Sequence, residues 1–176
     1  MRDQAIETAP DTIRFERHMP GPINRIWDFL THPTIRGRWL ATGPMDLKEG
    51  GKYEMTFRHD ELTPHAEIAP PGMDSPKGFT LRGEVLECRF PSVLVISWSP
   101  GGPESKASFV LSSLHGQVRL SLIHSGLKDR ATLAEVAAGW HAHLNVLEAK
   151  ANGVTPPPFW KRFAEYHEEY TRKFPA

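Results

Sequence analysis

The chain has 176 residues, of which 39% are hydrophobic, so it fits one domain of ordinary size with a buried core. Its 21 basic residues balance 21 acidic ones, and this neutral total argues against nucleic-acid or membrane-surface partners. The single cysteine, Cys88, has no partner for an internal disulfide, which favours a reducing compartment and hence a cytoplasmic location. No stretch approaches the roughly 20 apolar residues of a membrane span, and the first ten residues lack the apolar core of a signal peptide.

The N-terminal part of the chain is predicted to hold one strand and two short helices. Residues 1–11 are polar and indicate a flexible leader, whereas residues 12–17 alternate with period two, as a half-buried strand does. Apolar residues then repeat at helical spacing and predict a helix that ends near residue 31: Ile23, Ile26, Trp27 and Leu30. A second helical turn is predicted over residues 34–38.

Five more strands are predicted after the Gly50-Gly51 turn. The first, residues 52–58, alternates Tyr53, Met55 and Phe57 with polar residues. Residues 59–77 are rich in proline and glycine and predict a long excursion at the rim, in which residues 65–69 could add a short edge strand. The other four strands are predicted over residues 79–89, 93–99, 106–113 and 117–124.

The C-terminal part is predicted to be helical. From residue 131 the apolar period changes to 3.6, which predicts a helix of about 20 residues, or about 30 Å, long enough to cross a sheet. A second helical pattern over residues 159–174 carries Phe159, Trp160 and Phe163, too many aromatics to stay exposed. This segment, part of an extension over residues 153–176, is expected to dock on its own domain; packing against a second copy is the alternative, so either a monomer or a homodimer is possible.

Seven short motifs occur in an order that is typical of one family. They are residues 22–27, Arg38-Trp39, Gly50-Gly51-Lys52-Tyr53, Gly83-Glu84-Val85, residues 91–98, residues 124–127, and Gly139-Trp140 with Leu144 and Leu147. The chain thereby resembles the homologues of the activator of the ninety-kilodalton heat-shock-protein ATPase, in the START-like (SRPBCC) superfamily. The resemblance covers residues 12–152 and leaves out the aromatic tail. It implies an α+β helix-grip fold, in which a curved antiparallel sheet wraps a long C-terminal helix around an apolar cavity.

Large apolar side chains and two histidines are the candidate ligand contacts. His124 shares strand parity with Leu120 and Leu122, and His143 lies on the apolar stripe of the long helix. A neutral imidazole could orient a carbonyl or a phenol, or act as an acid or base, although plain core packing remains the alternative. The full set of candidates is Trp27, Trp39, Met55, Phe57, Leu120, Leu122, His124, Trp140, His143, Leu144 and Leu147.

The sequence predicts neither a metal site nor a cofactor. His141 and His143 would diverge by about 200° on a helix of 3.6 residues per turn, so one metal ion could not bind both. Phosphate-loop, zinc-protease and serine-hydrolase motifs are absent from the chain.

Three functions remain open at this stage. The preferred one is binding of a small hydrophobic or aromatic molecule in the cavity. A cyclase or hydrolase would need an acid and a base that converge in the cavity, and only histidines of unknown direction are candidates. A co-chaperone role follows from the family resemblance alone, and the eukaryotic members that have this role carry a further N-terminal domain.

Overall fold

The computed structural model describes residues 3–73 and 78–175. Residues 1–2 of the predicted leader, residues 74–77 of the predicted excursion and Ala176 lie outside the described residues. The strands are β1 Ile6–Ala9, β2 Thr12–Pro20, β3 Lys52–Phe57, β4 Phe79–Arg89, β5 Val93–Ser97, β6 Lys106–Leu114 and β7 Gln117–Ser125. The helices are α1 Ile23–Thr31, α2 Pro33–Arg36, α3 Arg130–Asn152 and α4 Phe159–Lys173. Within the described residues, none of these helices is both long and apolar enough to cross a bilayer.

The seven strands form one curved antiparallel sheet in the order β1-β2-β7-β6-β5-β4-β3. Alternation determines which face is buried: Phe15 of β2 lies opposite Leu122 of β7, and both side chains are buried. Helix α3 lies against this buried face, and the arrangement confirms the predicted α+β helix-grip fold.

Helix α3 is closed at both ends by local hydrogen bonds. The carboxylate of Asp129 accepts a hydrogen bond from the backbone N–H of Thr132, which caps the first turn. At the other end Gly153 adopts a left-handed conformation with φ of 68°, and the Val154 N–H donates to the Ala149 carbonyl. Asp129 and Gly153 therefore mark the limits of a helix whose start and end the sequence predicted closely.

Helix α3 is buried on two sides, because α4 covers the side that does not face the sheet. The His141 ring stacks on Tyr166 of α4 at 3.6 Å, and its Nδ1 lies 2.9 Å from the Tyr170 hydroxyl. The same hydroxyl accepts a hydrogen bond from the Ala5 N–H at 2.8 Å. The aromatic tail thus packs on its own domain, and the number of subunits stays a prediction.

Two segments differ from their sequence-based expectations. The polar segment expected to be a flexible leader contains strand β1, which pairs with β2 and extends the sheet by one strand. Residues 65–69 form no strand, and side chains of this segment contact the start of α4 and the turn before it. Glu67 accepts hydrogen bonds from the N–H groups of Trp160 and Lys161, and His65 Nε2 bonds the Pro156 carbonyl.

The free edge of β3 is covered by the segment that follows α2. Thr42 and Met45 form isolated antiparallel bridges with Thr56 and Tyr53 of β3. The buried Arg36 guanidinium holds this segment by donating to the carbonyls of Ala41, Gly43 and Thr31. Burial lowers the pKa of Arg36 to about 10, and the side chain remains charged at neutral pH.

Candidate functional site

A cavity of about 600 Å³ lies where the end of β3, the middle of α3 and the start of α4 meet. Seven aromatic side chains form much of its apolar wall: Phe57, Phe79, Trp98, Trp140, Phe159, Trp160 and Phe163. Two imidazoles, His59 and His143, lie within this aromatic wall. Charged side chains of both signs complete the lining, namely Arg58, Asp60, Lys128 and Glu135.

The rings of the wall contact one another across element boundaries. His59, which follows β3, stacks on Phe159 with centroids 4.8 Å apart, and it lies 4.8 Å from Trp160. His143 of α3 lies 4.7 Å from Phe159 and 5.3 Å from His59. Because these contacts join β3, α3 and α4, the tail helix is part of the cavity wall.

His143 has one ring nitrogen committed to the protein. Its Nδ1 lies 2.7 Å from the Trp39 carbonyl, and since a carbonyl can only accept, Nδ1 must carry the proton. Burial lowers the pKa of His143 to about 3, and the ring is therefore neutral at physiological pH. Nε2 consequently has a lone pair, and nothing in residues 3–73 or 78–175 hydrogen-bonds to it.

His124 has both ring nitrogens committed to the protein. The Trp140 indole N–H donates to Nδ1 at 2.8 Å, so the ring proton is on Nε2, which lies 2.6 Å from Ser105 Oγ. Burial lowers the pKa of His124 to about 3. His124 therefore orients the Trp140 indole from behind the cavity wall.

His59 is the second imidazole of the wall. Burial lowers its pKa to about 4, although the neighbouring Asp60 carboxylate acts weakly in the opposite direction. The ring is thus neutral at pH 7 and contributes mainly a flat surface to the cavity. No group of three or more His, Cys, Asp or Glu within the described part of the chain could hold a metal ion.

The structure divides the sequence-predicted residues into two sets. Phe57, Trp140 and His143 line the cavity. The others are buried in the core without lining it: Trp27, Trp39, Met55, Leu120, Leu122, His124, Leu144 and Leu147. They belong to the buried core that the sheet shares with the helices, whereas the cavity adjoins the start of α4. Contact of these residues with a ligand stays a prediction.

Most of the lining was not among the candidates, including six ring-bearing side chains: His59, Phe79, Trp98, Phe159, Trp160 and Phe163. For two of them a signal is present, because His59 continues the alternation of Met55 and Phe57, and Trp98 continues that of the fifth strand. The three tail aromatics carry no such signal, since helical spacing alone does not tell which surface a terminal helix covers.

Comparison with known proteins identifies relatives over nearly the whole chain. A Bordetella parapertussis protein with a solution NMR structure is 40% identical, with a TM-score of 0.82 over 97% of this chain and 90% of its own. CalU16 from Micromonospora echinospora is 25% identical, with a TM-score of 0.68 over 94% of this chain and 89% of its own. DynU16, a protein in the dynemicin biosynthetic locus, is 20% identical and has the same fold, with a TM-score of 0.58 over 91% of this chain and 48% of its own.

No curated protein matches the chain at a significant level. The family model described as "Activator of Hsp90 ATPase homolog 1-like protein" matches residues 20–152, which contain the sheet from β3 to β7 together with α1, α2 and α3. The chain belongs to the family of Activator of Hsp90 ATPase homolog 1-like proteins.

Proposed function

We propose that the protein binds a small hydrophobic or aromatic molecule in the cavity between the sheet, α3 and α4. The observation that carries the proposal is the aromatic wall around a volume of about 600 Å³. Ligand pockets of proteins commonly measure about 300–1,000 Å³ and are lined by apolar and aromatic side chains with a few polar groups. Flat rings such as Trp98 and Trp160 favour flat apolar ligands, because offset and edge-to-face contacts add to the burial of area.

Binding is better supported than catalysis at this site. A general acid or base works best when its pKa lies near the working pH. Burial instead lowers the pKa of His143 to about 3 and that of His59 to about 4, and both rings are poor bases. Family membership does not decide the question by itself, since one scaffold can carry different functions.

Gly139 of α3 offers a direct test of the cavity. It lines the cavity, and a Cβ added there would meet no heavy atom within 4 Å. Gly139→Leu should therefore extend a side chain into the cavity and reduce the volume left for a ligand, and replacing glycine in a helix should raise stability by up to about 1 kcal/mol. We expect the wild type to bind the neutral naphthalene dye prodan with a blue-shifted emission, and Gly139→Leu to bind it more weakly while its melting temperature is maintained.

Gly139→Ala is the matched control, because it makes the same change in helix propensity and fills much less of the cavity. It should bind prodan with nearly the wild-type affinity. A wild type that gives no emission shift with prodan would refute the proposal, and so would a Gly139→Leu variant that binds the dye as well as the wild type does.

A further inference from the structure

The direction of the His143 proton restricts what this imidazole can recognise. Nδ1 donates to the Trp39 carbonyl, and the two nitrogens of an imidazole point away from each other. Nε2 is therefore directed away from the backbone of residue 39, on a side chain that lines the cavity. In this tautomer Nε2 accepts a hydrogen bond and cannot donate one.

We infer that His143 Nε2 is the recognition group for a hydroxyl, and that the ligand is a neutral aromatic alcohol of the phenol or naphthol class. This inference rests on the proposed function, since it specifies the polar group of the same ligand. A carbonyl would place its oxygen lone pair against the Nε2 lone pair, whereas a phenol donates its proton to Nε2.

The other polar groups behind the wall are already occupied. The Trp140 indole N–H is bound to His124, and the second nitrogen of His124 is bound to Ser105. Neither group has a hydrogen left for a ligand. His143 thus supplies an acceptor that no described residue occupies, beside Phe159 and Phe57, which lie 4.7 and 6.0 Å from its ring centroid. His59, Asp60 and Glu135 also line the cavity and carry acceptor atoms, so the test must distinguish them from His143.

The test compares two naphthalenes, one of which has an O–H donor and one of which has a methyl group in place of that hydrogen. Displacement of prodan from the wild-type protein is measured with 2-naphthol and with 2-methoxynaphthalene, which has the same ring system but no O–H. One neutral hydrogen bond is worth about a factor of ten in affinity, so 2-naphthol should bind about tenfold more tightly. Equal affinities would overturn the inference and leave the proposed function intact, whereas absence of prodan binding would remove both.

Two variants test which residue causes the tighter binding of 2-naphthol. His143→Phe should bind the two naphthalenes with equal affinity, because phenylalanine retains the aromatic surface and lacks the acceptor. His59→Phe is the matched control: it alters the neighbouring imidazole of the same wall, and it should retain the tenfold preference. Loss of the preference in His59→Phe together with its retention in His143→Phe would assign the hydroxyl to His59 and contradict the inference.

A measurement on the wild type covers the case in which His143→Phe does not fold. In uniformly ¹⁵N-labelled protein, the Nε2 resonance of His143 should have the shift of an unprotonated imidazole nitrogen. It should move toward the protonated range on addition of 2-naphthol and stay in place with 2-methoxynaphthalene. An Nε2 that already carries a proton in the free protein would show the opposite tautomer and overturn the inference.

Discussion

Trp140 performs two tasks at one position of α3. Its indole forms part of the cavity wall, and its N–H is the donor for Nδ1 of the buried His124. Removing only the N–H and removing the whole ring should therefore lower the free energy of unfolding by different amounts.

We expect Trp140→Phe to lower the free energy of unfolding by about 1–3 kcal/mol, because His124 Nδ1 loses its donor in a buried site. Trp140→Ala should cost about 3–5 kcal/mol, since it also leaves a cavity. Trp98→Phe is the control: Trp98 lies 4.8 Å from Trp140, and its indole has no hydrogen bond to a described residue. Chemical denaturation measures all three, and equal losses for the two phenylalanine variants would contradict the role of the N–H.

At the scale of single residues, strand alternation predicted burial better than it predicted contact with the cavity. Leu120, Leu122 and His124 were expected on one face, and all three are buried. Contact with the cavity depends on which side chains are left without close neighbours. That is decided by where α4 packs against the domain and not by the strands themselves. The tautomer of His143 likewise depends on a carbonyl 104 residues away in the chain.

Helix α4 is held to the domain at its far end by Tyr170. This fully buried side chain connects the N-terminal segment with α3, because its hydroxyl bonds both Ala5 and His141. Burial raises the pKa of Tyr170, and the hydroxyl stays protonated at neutral pH.

Tyr170→Phe should lower the free energy of unfolding by about 1–3 kcal/mol, because a buried N–H and a buried ring nitrogen lose a shared partner. Thr171→Ala, at the exposed neighbouring position on the same helix, is the control and should change stability by less than about 0.5 kcal/mol. Thermal denaturation compares the two. A Tyr170→Phe variant as stable as wild type would show that these hydrogen bonds do not hold the tail.

At the scale of elements, strongly periodic segments were predicted well. Strand β4 has the predicted bounds, and α1 begins and ends at the predicted residues. Strand β1 was missed because its residues are mostly exposed and carry no apolar alternation; it is ordered by pairing with β2. Whether an edge strand forms depends on the neighbouring strand that it pairs with, and the local sequence pattern does not identify that neighbour.

For the whole molecule, the buried histidines determine how stability depends on pH. Four of the nine histidines have a pKa lowered mainly by burial: His124, His141 and His143 to about 3, and His59 to about 4. The unfolded chain binds protons at these residues below about pH 6.5, whereas the folded chain does not. Their contribution to stability is therefore complete above pH 6.5 and is lost as the pH falls toward the folded-state values. The raised pKa of Glu148 acts in the opposite direction, but it is one group against four.

We expect unfolding at pH 5.5 to take up between about three and four protons, and the protein to unfold between about pH 5 and 4. Each proton taken up on unfolding lowers the free energy of unfolding by about 1.4 kcal/mol for each pH unit of acidification. The total free energy of unfolding of a domain is on the order of 5–15 kcal/mol. Calorimetry in buffers of different ionisation enthalpy counts the protons. An uptake below one proton would show that these imidazoles are charged in the folded protein.

The cover over β3 also has a bearing on self-association. An exposed strand edge offers unpaired N–H and C=O groups to the edge of another molecule, which is a common origin of fibrils and amorphous aggregates. In this sheet one outer strand has four residues and an irregular register, and the other is capped by the segment that Arg36 holds. Arg36 does not line the cavity, but by holding this segment against β3 it should keep the strand edge from pairing with a second molecule, so this buried cation should favour a dispersed protein as well as a folded one.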